Sequence, residues 1–166
     1  MEVTFGNQLI ALKGERVSLG DKAQNFVAID TDLQVKTLQD YDDDYLVISV
    51  VPSVDTGVCD YQTKTFNKNL ASFKNVRVIT ISNDLPFALK RWCGAAGLDH
   101  VVTLSDHRDL DFAKKYGTLL EPLRLQTRAV FVLDAERQVI YKEYVEDVSS
   151  HPSYDEVTML LKEVTK

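Results

Sequence analysis

The run Tyr45-Leu-Val-Ile-Ser-Val-Val51 is the feature that most restricts the fold. It is apolar, rich in β-branched side chains and too short for a buried helix, so it reads as a buried strand. Pro52 ends it, because proline brings no N–H to a ladder. Thr56 and Gly57 permit a turn. From Cys59 the period changes: Phe66, Leu70 and Phe73 recur at helical spacing. A second buried run, Val76-Arg-Val-Ile-Thr-Ile81, follows. Strand, helix, strand over so short a span is a βαβ unit, so the two strands should run parallel.

This arrangement puts Cys59 in the first turn of a helix. The first N–H groups there have no intrahelical partner and the macrodipole is positive, which favours an anionic sulfur. The plain alternative is that Cys59 is a small core hydrophobe, the usual fate of a lone cysteine. The tight array of proline, threonine and glycine before it argues for the reactive reading. So does a second cysteine, Cys93, expected at a comparably exposed position at the edge of a short helix beside Gly94 and Gly97.

The remaining elements follow in order. Residues 2–13 alternate around Gly6-Asn7 and predict a β-hairpin. Phe26 to Ile29 is a short strand, and Leu33 to Leu38 a short extended piece. Asp42-Asp43-Asp44 reads as a solvated turn, since consecutive side chains do not converge on a cation. Asp84 is placed to cap a helix with Pro86 in its first turn and Lys90 and Arg91 in its last. Val101 to Leu104 is a strand. Ser105 or Asp106 caps a helix that Gly117 closes. Residues 118–127 form a loop. Residues 128–134 and 138–144 form an antiparallel pair. Ser153 and Glu156 make a capping box for a final helix. Together these predict an α/β fold with a mixed central sheet flanked by helices, in one domain over 1–166.

Nineteen lysines and arginines against 25 acidic residues leave a net charge of −6. A nucleic-acid partner, which needs a basic face, is therefore not expected. No apolar segment approaches about 18 residues, so no membrane span is expected. Met1 to Gly6 carries neither a basic nor an apolar leader segment, so the expected location is cytoplasmic. The cysteines are 34 positions apart, which is neither C-x-x-C nor a zinc pattern. In a reducing compartment such a pair suggests transient redox chemistry. His100, His107 and His151 lack ligand spacing and read as loop residues.

Pro52-x-x-x-Thr56-x-x-Cys59 resembles the active-site signature of the peroxiredoxins. The longer string PSVDTGVCDYQTKTFN, joined to LPFALKRWCGAAGL, is similar to their thiol peroxidase branch, the atypical two-cysteine peroxiredoxins. The resemblance spans nearly the whole chain and independently implies a thioredoxin-like fold. It also implies a thiol peroxidase that reduces hydrogen peroxide and organic hydroperoxides. Cys59 would be the peroxidatic nucleophile, passing through a sulfenic acid. Thr56 would return its hydroxyl to the sulfur, Pro52 would shield it, and Arg128 would supply the cation. Cys93 would resolve the sulfenic acid as an intramolecular disulfide. Because a disulfide needs Cα atoms about 4.4–6.8 Å apart, the Cys59 helix start and segment 84–97 are expected to rearrange between redox states. A thioredoxin-type reductant and a homodimer are implied as partners, and no metal, haem, flavin or other cofactor. A disulfide carrier or a redox-sensing domain stays as the alternative. Trp92 departs from the phenylalanine common before the resolving cysteine, and Leu123 to Gln126 from a glycine-bearing segment.

Overall fold

The strand residues alternate between two buried faces, and that alternation sets the layers. In the 45–50 strand, Leu46, Ile48 and Val50 join one apolar cluster while Val47 joins another. A strand buried on both sides must be covered by helices on both. A computed structural model describes residues 1–98 and 101–166. In chain order the strands and helices are β1 (Glu2–Phe5), β2 (Gln8–Ala11), β3 (Val27–Ile29), β4 (Val35–Thr37), β5 (Tyr45–Val50), α1 (Gly57–Leu70), β6 (Val76–Ser82) and α2 (Pro86–Ala96). There follow β7 (Val102–Ser105), α3 (Asp111–Tyr116), β8 (Leu119–Leu120), β9 (Leu125–Gln126), β10 (Ala129–Leu133), β11 (Val139–Tyr144) and α4 (Tyr154–Val164).

The central sheet has the order β11-β10-β5-β6-β7-β3-β4. β5, β6 and β7 are parallel, as the crossover helices require, while β10 and β11 run antiparallel at one edge and β3 and β4 at the other. Helices α1 and α4 cover the face carrying Val47, Val130 and Val132 through Phe66, Leu70, Val157 and Leu161. On the opposite face Phe112 and Tyr116 of α3 stack at 4.2 Å between ring centroids and meet Phe26 and Phe131 edge-on. The predicted N-terminal hairpin is β1–β2, in a separate two-stranded sheet.

Several local expectations are corrected. Asp84 does not cap α2, whose N-cap is Leu85 with no side-chain bond. Its carboxylate turns instead to the loop after β5. Lys90 and Arg91 fall mid-helix, because α2 continues through Gly94 and stops only at Gly97, which takes the left-handed conformation with φ 70°. Ser153 and Glu156 form no capping box: the Ser153 N–H donates to Glu143, and Glu156 accepts from the Tyr141 hydroxyl. Residues 118–127 hold the two-residue pair β8–β9 around a 3₁₀ turn. Asp43 is paired with Arg77. His107 and His151 do lie outside helices and strands, whereas His100 lies outside the described residues.

Asp106 does cap α3, from a distance along the chain: its carboxylate accepts from the N–H groups of Phe112 and Ala113, and from Gln126 Nε2. Burial nevertheless pushes this carboxyl up to about 6 from its ordinary 3.8, those donors offsetting only part of the lost hydration. The folded protein therefore holds this proton where the unfolded chain has released it. The contribution to stability is full below about pH 4 and is lost as pH rises through about 6, by roughly 3 kcal/mol. The urea midpoint should accordingly lose this component between pH 4 and pH 6.5, and Asp106→Asn should remove it. Identical pH dependences in the two proteins would refute the assignment.

Candidate active site

The turn between β5 and α1 is built so that the helix begins under its own cap. Thr56 is the N-cap, with extended φ −88° and ψ 151°, and its Oγ1 accepts from the Cys59 N–H at 3.2 Å. This satisfies one of the orphan donors of the first turn. The hydroxyl thus meets the backbone of Cys59, a contact different from the expected one to sulfur. Cys59 is the third residue of α1, so its sulfur lies within the positive end of the helix.

Both cysteines are buried: Cys59 is 0% and Cys93 6% exposed, which corrects the expectation of an exposed Cys93. No disulfide joins them. Burial alone would suit inert core thiols, but the neighbour of Cys59 does not. Arg128, 2% exposed, directs Nη2 to Cys59 Sγ at 3.3 Å. Its Nε donates to the Val148 carbonyl at 2.7 Å, and its Nη1 to Gln62 Oε1 at 2.9 Å. None of the partners is a carboxylate. Among the described residues this guanidinium takes part in no ion pair. Taking a cation out of water costs several kcal/mol unless it is paired and hydrogen-bonded. Among the described residues Cys59 is the one hydrogen-bond partner of Arg128 that can carry negative charge.

Gln62 is the site residue that sequence reasoning passed over. It is fully buried, and its amide bridges two elements, donating to Ser49 Oγ of β5 at 2.8 Å while accepting from Arg128. The signal was present: Cys59, Gln62, Phe66 and Leu70 occupy the inward stripe of α1, where a polar residue needs a buried partner. Sheet register extends the polar patch. Ser49 pairs with Thr80, and Thr80 with Thr103, so three hydroxyl residues form one row under α1 and α2. At the far end of that row Cys93 Sγ lies 3.6 Å from Thr103 Oγ1.

Asp84 ties the loop to α2. One carboxylate oxygen accepts from Ser53 Oγ at 2.7 Å, and the other from the Val54 N–H at 2.9 Å and Ser82 Oγ at 2.7 Å. Outside Arg128, a cleft of about 310 Å³ is lined by Phe5 of β1, Pro52, Thr56, Val58, Val148 and Arg128 itself. Its wall is mostly apolar, and its polar side chains are those of Arg128, Thr56 and Ser149. Cys59 does not line the cleft, but its sulfur meets Arg128, which does. The structure thus brings Pro52, Thr56, Cys59 and Arg128 to one place, and Cys93 into the same apolar cluster as Cys59, with Val51, Val54, Leu89 and Trp92. Among the described residues there is no cluster of metal-binding side chains, and no helix is long and apolar enough to cross a membrane.

A family model described as Redoxin matches residues 18–158. The chain is 52% identical over 155 residues to a thiol peroxidase of Oceanobacillus iheyensis, covering 93% of this chain and 94% of that one. It is 46% identical over 165 residues to a thiol peroxidase of Bacillus subtilis, covering 99% of each. Among solved structures, a peroxiredoxin-like protein from Aquifex aeolicus superposes with a TM-score of 0.90 at 37% identity, over 98% of this chain and 96% of that one. Thiol peroxidase from Chromobacterium violaceum does so with 0.90 at 25% identity, over 99% and 97%. A buried guanidinium against a helix-start cysteine, on a thioredoxin-like sheet, in a chain with these relatives, places the protein in the redoxin family, as a peroxiredoxin of the thiol peroxidase kind.

Proposed function

We propose that the protein reduces hydroperoxides with Cys59 as nucleophile and Cys93 as resolving thiol. The observation that carries this reading is the buried Arg128, whose Nη2 meets the Cys59 sulfur at 3.3 Å with no carboxylate of the described residues bonded to it. A thiolate there forms an ion pair with the guanidinium at the mouth of a helix. Its sulfur attacks the terminal oxygen of a hydroperoxide and the O–O bond breaks. Cys59 becomes the sulfenic acid, and the departing alkoxide takes a proton to leave as alcohol, or as water from hydrogen peroxide. Arg128 and Thr56, both lining the cleft, bind the two oxygens as charge moves between them. Pro52 keeps bulk water from the sulfur. The apolar wall of Phe5, Val58 and Val148 suits an organic hydroperoxide at least as well as hydrogen peroxide.

The Cys93 thiol then attacks the sulfenic sulfur, forming the disulfide and releasing water. Two electrons from an external dithiol of the thioredoxin type restore both thiols. A second copy of the chain is the natural partner in solution, as a homodimer. Reaction of Cys59 at micromolar peroxide separates this reading from a disulfide carrier or a redox switch, for which only millimolar peroxide would oxidise the protein.

Turnover should vanish in Cys59→Ser, whereas Cys93→Ser should react once and stop as an oxygen adduct on Cys59, seen by mass. Residual turnover in the first variant, or no adduct in the second, contradicts the scheme. Arg128→Ala should lower kcat/KM by roughly 100-fold, the usual cost of removing one donor to developing charge. Arg128→Lys should restore little, because an ammonium cannot reach the sulfur, Gln62 and Val148 together. An Arg128→Ala enzyme within threefold of wild type would remove the guanidinium from the mechanism.

A further inference from the structure

We propose that Trp92 and Asp60 are positioning residues that latch the two thiol-bearing helices together, and that this latch sets how fast Cys93 reaches oxidised Cys59. The proposal rests on the reading of Cys93 as the resolving thiol. Trp92 precedes Cys93 on α2, and Asp60 follows Cys59 on α1. The indole Nε1 donates to Asp60 Oδ1 at 2.9 Å. The carboxylate is held for that contact by Lys64, whose Nζ lies 3.0 Å from Oδ2 one turn along α1. The indole is 9% exposed, packed in the cluster that holds both cysteines. A hydrogen bond to a charged acceptor from a packed ring is stronger than an ordinary surface contact.

The geometry makes this bond an obstacle to disulfide formation. Cys59 Sγ is held by Arg128, at the head of β10, and Cys93 Sγ lies against Thr103 of β7. β5 and β6 intervene. Neighbouring strands lie about 4.8 Å apart, so those two anchoring strands are roughly 14 Å from each other. A disulfide needs Cα atoms within about 7 Å. Cys93 must therefore leave Thr103 and swing toward α1. Successive residues of a helix point about 100° apart. With Trp92 aimed at Asp60, Cys93 is aimed at the sheet, and a turn that brings Cys93 to α1 carries the indole away from its acceptor. Other polar ties between these segments, among the described residues, lie elsewhere. Asp84 holds the loop before α1, and Arg91 approaches Asp55 only at 3.9 Å, with both side chains mostly exposed.

The consequence is a competition at the sulfenic acid. While the latch holds, a second hydroperoxide can add its oxygen to Cys59, giving the sulfinic acid and one more alcohol. Once it opens, the Cys93 sulfur displaces the hydroxyl as water and the disulfide closes. Trp92→Phe keeps the ring and removes the N–H donor. In rapid mixing with hydrogen peroxide followed by acid quench and mass analysis, the oxygen adduct should appear at the wild-type rate. The disulfide should form roughly threefold to tenfold faster, a hydrogen bond's share of the barrier. The peroxide concentration that overoxidises half of Cys59 should rise by the same factor. Asp60→Ala should reproduce the faster closure, and the double variant should add nothing to either. Disulfide formation at an unchanged or slower rate in Trp92→Phe, or additive effects in the double variant, would overturn the latch. A wild-type protein that forms no intramolecular disulfide would overturn the resolving role of Cys93, and the latch with it.

Discussion

Arg128 is a cation with almost no access to water, and its surroundings are arranged to make that tolerable. The Val148 carbonyl takes one N–H and Gln62 takes another, while the sulfur of Cys59 receives the third. The partners come from two parts of the chain: the segment after β11, and the first two turns of α1. Breaking a buried pair by removing one member leaves an uncompensated charge, so these segments are energetically tied to one another. The start of α1 is therefore held between its own cap and a guanidinium from the neighbouring strand.

The sheet decides where the second sulfur waits. Ser49, Thr80 and Thr103 share one register row across β5, β6 and β7, and the helices above occupy its two ends. Gln62 engages Ser49 at one end, and Cys93 meets Thr103 at the other. The same apolar cluster buries both cysteines, while their sulfurs face different partners, Arg128 and Thr103. α2 is tied to its surroundings mainly along its second half, where Trp92 donates to Asp60 and Cys93 lies against Thr103.

Much of this was legible in advance. The β-branched runs at 45–51 and 76–81, with a helical period between them, require a parallel βαβ unit, and the runs at 129–133 and 139–144 pair as expected. The spacing of Pro52, Thr56 and Cys59 pointed to the strand-to-helix turn as the candidate site, and Arg128 lies against Cys59 there. Short-range polar chemistry was less legible. Asp84, Ser153 and Glu156 have the residue types of helix caps, yet each finds a partner distant in sequence. A carboxylate near a helix start serves whichever N–H or hydroxyl the tertiary fold brings within reach, and in the case of Asp84 that is the loop before α1. Gln62 escaped notice because helical periodicity marks a polar residue on an inward stripe only as an exception, without naming its partner.

The chain by itself determined the main strands and helices and their order, because periodicity, proline and glycine act over a few residues. Tertiary structure alone decided that Arg128 would face the sulfur across 69 positions of sequence, that Cys93 would lie buried against Thr103, and that Trp92 would reach Asp60. Those contacts depend on strand order and register, and these are settled by the burial of two sheet faces at once, a property of the whole assembly and of no local segment.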